Sequence, residues 1–442
     1  MRKLLPLLLL PACLFGRTLT LNEARTLAVA NDPSLQAAQA STNAAEQQRK
    51  AALGKFLPTV TFEGGYRYDQ ELIHYDTGVE FLPIYDFSAG YPQVVPTQKA
   101  AFQIDQDLGQ HTNAEWTLKA VQPLFTGGKI WRNAQIQGNL KQVAMYQEDL
   151  KRQEILVGLD ESYWRVAELF AKARLAKQYQ NNVQAHLDDL NNYLEAGLVT
   201  NNDVLKAKVK LSEADLALLQ ARDGLALAKM DLNRRLGVTD EIELADSLGE
   251  DPVPLDVSPD ASSRPELKAL QKVCSIRKDL TGVQAASFLP DVALQAGYKL
   301  TRPNPYNSFD DEYGDNWQVY LMCQWKLFDS TSREHEYSAA RQEERVAQLN
   351  YEDAQKQIDL QIRQERFRYD EAEHRVELTR TNVRQADDNL RETTDRFHEG
   401  IVKSSDLLDA QTLWQQARAN LIEALAARNV QTTRYLKACG RL

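Results

Sequence analysis

A stretch that recurs within one chain must fold twice in the same way, and here the recurrence is regular. Phe56-Leu57-Pro58-Thr59-Val60 returns as Phe288-Leu289-Pro290-Asp291-Val292, and Gly65-Tyr66 as Gly297-Tyr298, both at a spacing of 232 residues. Pro33-Ser34-Leu35-Gln36-Ala37 meets Pro265-Glu266-Leu267-Lys268-Ala269 at the same spacing. Leu124-Phe125 returns as Leu327-Phe328 at a spacing of 203, which also carries Gly197, Asp203 and Ala207 onto Gly400, Asp406 and Ala410. The second copy is therefore 29 residues shorter, and the loss falls between its strands. The expected organisation is a first repeat over 17–237, an acidic proline-containing linker over 238–263 and a second repeat over 264–442.

Each copy spells the same order of elements. A helix is predicted near 20–55 and again near 264–287, with Asp32 as a cap ahead of a first-turn proline, Pro33. Two strands follow in each copy, over 57–68 and 116–125, then 289–300 and 317–328. Val60, Phe62, Gly64 and Tyr66 alternate with mixed residues, and Trp317, Val319, Leu321, Cys323 and Trp325 alternate with Gln318, Tyr320, Met322, Gln324 and Lys326. One apolar face and one polar face fit a membrane barrel strand. Pattern alone fits a soluble two-sided sheet almost as well. Gly64-Gly65 and Gly127-Gly128 read as strand ends or bends. Residues 69–115 read as a long loop, with Tyr75, Phe81, Tyr85, Phe87 and Tyr91 set among Pro83, Pro92 and Pro96, either an external lid or a tolerated insertion.

Long helices complete each copy. No proline lies between Pro123 and Pro252 or after Pro305, and Gly400 is the only glycine between Asp315 and Cys439. Ile362, Tyr369, Val376, Val383, Leu390 and Phe397 hold a seven-residue period, and Leu159, Val166, Ala173, Leu187 and Leu194 answer it in the first copy, with Gln180 as the exception. Sustained heptads mean coiled-coil packing. The returning helices place Leu211, Leu218 and Leu225, or Leu407, Trp414 and Leu421, between rows of alanine that permit close approach. A single glycine, Gly197 or Gly400, sits in each turn as a left-handed cap, and Thr200 with Asp203 forms a capping box. Each copy thus ends in an antiparallel helical hairpin, its long helix roughly 100 Å at 1.5 Å per residue.

Four membrane strands leave two open edges, which lipid does not tolerate. Copies must combine, into eight strands as a dimer or twelve as a trimer. The N-terminus fits export. Arg2 and Lys3, the apolar run Leu4–Leu10 and the small residues 12–16 make a secretory signal expected to be cut after Gly16. The alternative is a lipoprotein-like box, Leu10-Pro11-Ala12-Cys13, with lipid on Cys13. No later stretch is long and apolar enough for a membrane helix. A net charge of −10 argues against a nucleic-acid partner. Cys274, Cys323 and Cys439 are too scattered for a metal or disulfide set, and neither a catalytic constellation nor a cofactor motif is present, so no enzyme is expected.

The order helix, Leu-Pro-x-Val strand, strand ending Pro123-Leu124-Phe125-x-Gly127-Gly128, long helix and Gly-Leu-Val turn resembles the TolC-like outer-membrane efflux protein family. Leu19-Thr20-Leu21-Asn22-Glu23-Ala24 through Asn31-Asp32-Pro33, Glu195-Ala196-Gly197-Leu198-Val199 and Ser405-Asp406-Leu407-Leu408-Asp409-Ala410-Gln411 are similar to family segments. The resemblance implies a mainly α fold with a membrane β-barrel part. Three copies would share a 12-stranded barrel and a 12-helix tunnel. It also implies a homotrimer in the bacterial outer membrane that docks on a periplasmic adaptor and an inner-membrane pump or ABC exporter. Such a chain is a passive exit duct for efflux or type I secretion. The competing reading is an exported periplasmic coiled coil without a pore.

Site expectations concentrate at the turns. Asp406 and Asp409 lie three apart on one helix face, and the resemblance places such aspartates around a closed periplasmic entrance. A carboxylate at Asp406 equally suits the helix N-terminus, whereas Asp409 replaces the first copy's Lys206. Lys403 is the candidate basic partner of that gate. Gly197, Leu198, Val199, Gly400, Ile401 and Val402 form the tips, either plain turns or an adaptor-docking surface.

Overall fold

The computed structural model describes residues 17–86, 88, 90–108, 110–239, 242–249, 260–307 and 310–442. The expected signal segment and Cys13 lie outside them. In chain order the elements are β1 (Arg17–Leu19), α1 (Leu21–Asn31), α2 (Pro33–Gly54), β2 (Thr59–Tyr68), β3 (Ile73–Asp76), β4 (Glu80–Asp86), β5 (Gln93–Phe102), β6 (Asp105–Leu108) and β7 (Thr112–Phe125). Then come α3 (Lys129–Glu195), α4 (Asn201–Leu236), β8 (Ile242–Leu244), α5 (Pro265–Ala286), β9 (Asp291–Arg302), β10 (Gly314–Gln324), α6 (Ser332–His398) and α7 (Ser404–Ala438). They form two compact units, one mostly of helices (Met1–Gln47, Gly138–Arg277, Glu343–Leu442) and one carrying the main sheet (Gln48–Gln137, Lys278–Gln342).

The helices are where the heptads place them, with one break. The helix expected near 20–55 is two helices. Asp32 ends α1, and its carboxylate accepts from the Ser34 and Leu35 amides at 2.7 and 3.2 Å, which starts α2 at Pro33. Proline has no amide to give the preceding turn, so the break costs little there.

In the helical unit α3 packs on α4 along Leu159, Tyr163, Val166, Leu232 and Leu236, with Leu19, Ala24, Ala28 and Ile242 closing the same core. On its other side α3 meets α7, where Leu175, Tyr179 and Val183 surround Trp414. Thr433 there donates to Asp160 at 2.6 Å, and Arg434 pairs with Glu161. Asp160 is fully buried yet also paired with Arg25 of α1, as a buried carboxylate requires. Helix α7 in turn packs on α6. Tyr369 stacks on Tyr435 with ring centroids 5.9 Å apart, and Asp387 accepts from Trp414 and Arg418.

Part of the expected linker is ordered structure. Strand β8 pairs in parallel with β1, and Asp246 accepts the Leu21 amide at 2.7 Å within reach of the Tyr163 hydroxyl. Arg428, almost wholly buried, donates to the Gly249 carbonyl at 2.6 Å. The segment is thus tied to α1, α3 and α7 of the helical unit.

The sheet unit holds a four-stranded antiparallel sheet in the order β10-β9-β7-β2. The long loop expected over 69–115 is instead largely a β-ribbon. Within it β3 pairs with β6 and β4 with β5, nested between β2 and β7. Gly64 is not a strand end but mid-strand: a Cβ there would overlap the Trp116 ring, which lies across it and stacks on Phe62. Gly127 and Gly128 do form the bend before α3, both with positive φ.

Candidate pore wall and hairpin tips

Residues directly opposed across an antiparallel ladder share a face, so the register decides what each face carries. Phe62, Leu118, Tyr298 and Trp317 form one row across the four strands, and Val60, Ala120, Ala296 and Val319 the next row on that face. The opposite face carries Thr61, Lys119, Gly297 and Gln318 in one row and Glu63, Thr117, Lys299 and Asn316 in another. All four apolar sides coincide. Phe62 is 67% exposed and Trp317 74%, so among the described residues nothing covers these two rings. Side chains of this kind left to water over four strands are what a lipid-facing wall presents. Strands β2 and β10 close the sheet on neither side, and each keeps one unpaired edge. Among the described residues no helix is long and apolar enough to cross a membrane.

The helix turns are built alike. Gly197 and Gly400 adopt φ of +76° and +73°. The Gly197 and Leu198 amides donate to Leu194 and Tyr193, and the Gly400 and Ile401 amides to Phe397 and Arg396, the same Schellman closure in both copies. Leu198 and Ile401 point into solvent, while Val199 and Val402 tuck against one shared core. That core joins Leu187 and Leu190 of α3, Val204 and Ala207 of α4, Phe397 of α6 and Leu407 of α7.

The caps that follow differ. Thr200 and Asp203 satisfy each other's amides at 3.3 and 3.1 Å. The Thr200 hydrogen bonds, and then more weakly Lys206 and Lys403, hold the Asp203 carboxyl below the usual range. In the second turn Asp406 accepts the Lys403 amide at 3.1 Å, but a lysine side chain has no acceptor to return. Half the box is missing. Asp406 therefore has a capping role, while exposed Asp409 has none of that kind. Asp409 lines a shallow cavity of about 500 Å³ with Lys206, Lys210, Leu205 and Leu408. The sequence-predicted residues are thus gathered at one end of the helical unit, with Lys403, Asp406 and Asp409 all exposed.

One residue there went unnoticed in the sequence. His186 of α3 is buried, its Nε2 2.9 Å from the Ser404 hydroxyl and its ring edge-on to Phe397 at 4.9 Å. Its Nδ1 has no protein partner. Burial pushes its pKa down, opposed by Asp189 and assisted by His398. Among the described residues no group of three His, Cys, Asp or Glu side chains is placed to hold a metal ion.

Residues 24–238 and 261–441 match the outer membrane efflux protein family. The chain belongs to that family. Its place is the outer membrane, and its relatives are channels rather than enzymes. The alkaline protease secretion protein AprF of Pseudomonas aeruginosa is 23% identical over 298 residues, 65% of this chain and 56% of AprF, so the match spans little more than half of that relative. Crystallised CusC superposes with a TM-score of 0.78 at 14% identity, covering 96% of this chain and 93% of CusC. The outer membrane protein VceC of Vibrio cholerae gives 0.74 at 18% identity, covering 95% of this chain and 96% of VceC. The MtrE outer membrane channel of Neisseria gonorrhoeae, in its open state, gives 0.74 at 13%, covering 95% and 88%. These likenesses establish a mainly helical TolC-like fold.

Proposed function

We propose that three copies of this chain close a 12-stranded barrel and a 12-helix tunnel, forming a passive exit duct through the outer membrane. The observation that carries this reading is the four-stranded sheet with one face apolar in its central rows and two unpaired edges. A lone sheet of this kind is stable in neither water nor lipid, whereas a ring of copies pairs every edge. A pore-less periplasmic coiled coil has no use for such a face. The polar rows would then line the lumen, and the helical hairpins would extend into the periplasm.

The duct serves a tripartite efflux pump or a type I secretion system, with a periplasmic adaptor and an inner-membrane pump or ABC exporter as partners. The name of AprF speaks for secretion, and channel-forming CusC and MtrE share the fold. Asp406 and Asp409 would ring the closed entrance, with Lys403 beside them. The tips Gly197, Leu198, Val199, Gly400, Ile401 and Val402 would meet the adaptor. We read the two sequence copies, 17–237 and 264–442, as the repeats that alternate around the tube, joined by 238–263. Purified protein in detergent should run as a heat-stable trimer and conduct ions in a planar bilayer. A monomer without conductance would refute the proposal.

A further inference from the structure

One side chain of the first hairpin touches both helices of the second. His186 of α3 is only 3% exposed, and its Nε2 lies 2.9 Å from the hydroxyl of Ser404, the first residue of α7. Its ring stands edge-on to Phe397, at the end of α6. Leu187 and Leu190 of the same helix carry on into the core where Phe397 and Leu407 meet Val204 and Ala207. The repeat does not call for histidine here. At the spacing of 203 its counterpart is Asn389, which is exposed.

A neutral imidazole suits this place and an imidazolium does not. The charged ring carries two N–H donors. Ser404 can accept from one, and Nδ1 has no protein partner. The ring also abuts the N-terminal end of α7, where the free amides of a helix already carry partial positive charge. Little nearby relieves a cation. Asp189 on α3 favours the proton and His398 on α6 opposes it. Helix α4 brings Val204 and Ala207 to the adjoining core and α7 brings Leu407, with Lys403 and Asp406 exposed beyond them. Burial outweighs Asp189, so the docked ring holds a proton less firmly than a free histidine.

We infer that His186 is a proton-operated latch, which holds the end of the second hairpin on α3 while neutral and releases it when protonated. Further along α7, Trp414 stays clasped by Leu175, Tyr179 and Val183, so release is confined to the roughly three turns before it. The inference rests on the duct reading above, in which these tips narrow the entrance, and adds what opens it. A released ring titrates near 6.5. Above that pH both forms are neutral and the latch is shut. As pH falls from there toward the docked pKa, the released form takes the proton first and gains population, by up to about tenfold per pH unit in each copy. Below the docked pKa the gain stops.

Conductance of the full-length oligomer in planar bilayers, from about pH 7.5 to about pH 5, tests the latch across its titration. Carboxylates also titrate in acid, so the comparison is made in an Asp406→Asn/Asp409→Asn chain. The expected result is an open fraction that rises up to about tenfold per pH unit below about pH 6.5 with His186, and stays level with His186→Asn or His186→Gln. An equal acid rise in the His186→Asn oligomer would overturn the latch, as would an open fraction with His186 that ignores pH. Hydrogen exchange in the first turns of α7 reads the release without a pore. Acceleration in acid that His186→Asn abolishes supports the latch even if no trimer or conductance is found, a result that defeats the duct alone. Exchange that is the same with and without His186 overturns the latch and leaves the duct standing.

Discussion

The two helix turns share a backbone and differ in chemistry. Both close on a glycine near φ +75°, and both pack a half-buried valine against one core. The first is capped by Thr200 in a complete box and followed by Lys206; the second has Lys403 at the cap and Asp409 where Lys206 stood. Duplication kept what the fold needs and freed what it does not. The first turn is the firmer, and the second carries exposed acids on a weaker cap.

The comparison breaks most readily at the shared core. Phe397→Ala should lower stability by about 3–5 kcal/mol, the range for a buried aromatic, while Ile401→Ala on the exposed tip stays within about 0.5 kcal/mol. Denaturant midpoints with matched slopes would show whether the two tips unfold together. Acidity acts on the same core through His186. Burial lowers its pKa below the unfolded value near 6.5, so its contribution is complete above about pH 6.5. As pH falls through that value toward the lower folded pKa, the unfolded tip takes up the proton first and stability drains, by at most about 1.4 kcal/mol per pH unit for one proton. Hydrogen exchange of tip amides should therefore accelerate in mild acid, and His186→Asn should flatten that response.

The caps give smaller effects of opposite sign. Thr200→Ala should destabilise the first hairpin by about 1 kcal/mol, and Lys403→Thr should stabilise the second by about 0.5–1 kcal/mol. Equal effects of Lys403→Thr and Lys403→Ala would show that the second cap gains nothing from an acceptor.

Much of this was legible in the sequence because heptads and alternation are strong periodic signals. Helix α6, Ser332–His398, carries every heptad position from Ile362 to Phe397, and the strands from Thr59 and Asp291 begin where Leu-Pro ends. Three kinds of feature were not legible. Strands β1 and β8 have three residues each, too few for a period, and pair across more than 220 residues. The ribbon over 69–115 hid behind its prolines, which read as loop punctuation even where one sits inside a strand, as Pro83 does in β4. Asp160, Arg428 and His186 are polar residues on helices, and only the approach of a distant segment buries them. The capping role of Asp406 was visible in its spacing, because Asp203 stands at the same place in the first copy.

The central claim is a pore that the second-copy tips narrow with carboxylates. Single-channel recording in a planar bilayer, comparing the native oligomer with an Asp406→Asn/Asp409→Asn variant across added divalent cation, tests it directly. A carboxylate ring predicts low, cation-sensitive conductance in the native protein, and raised conductance with that sensitivity lost in the variant. Equal conductance and equal cation response in both would contradict it.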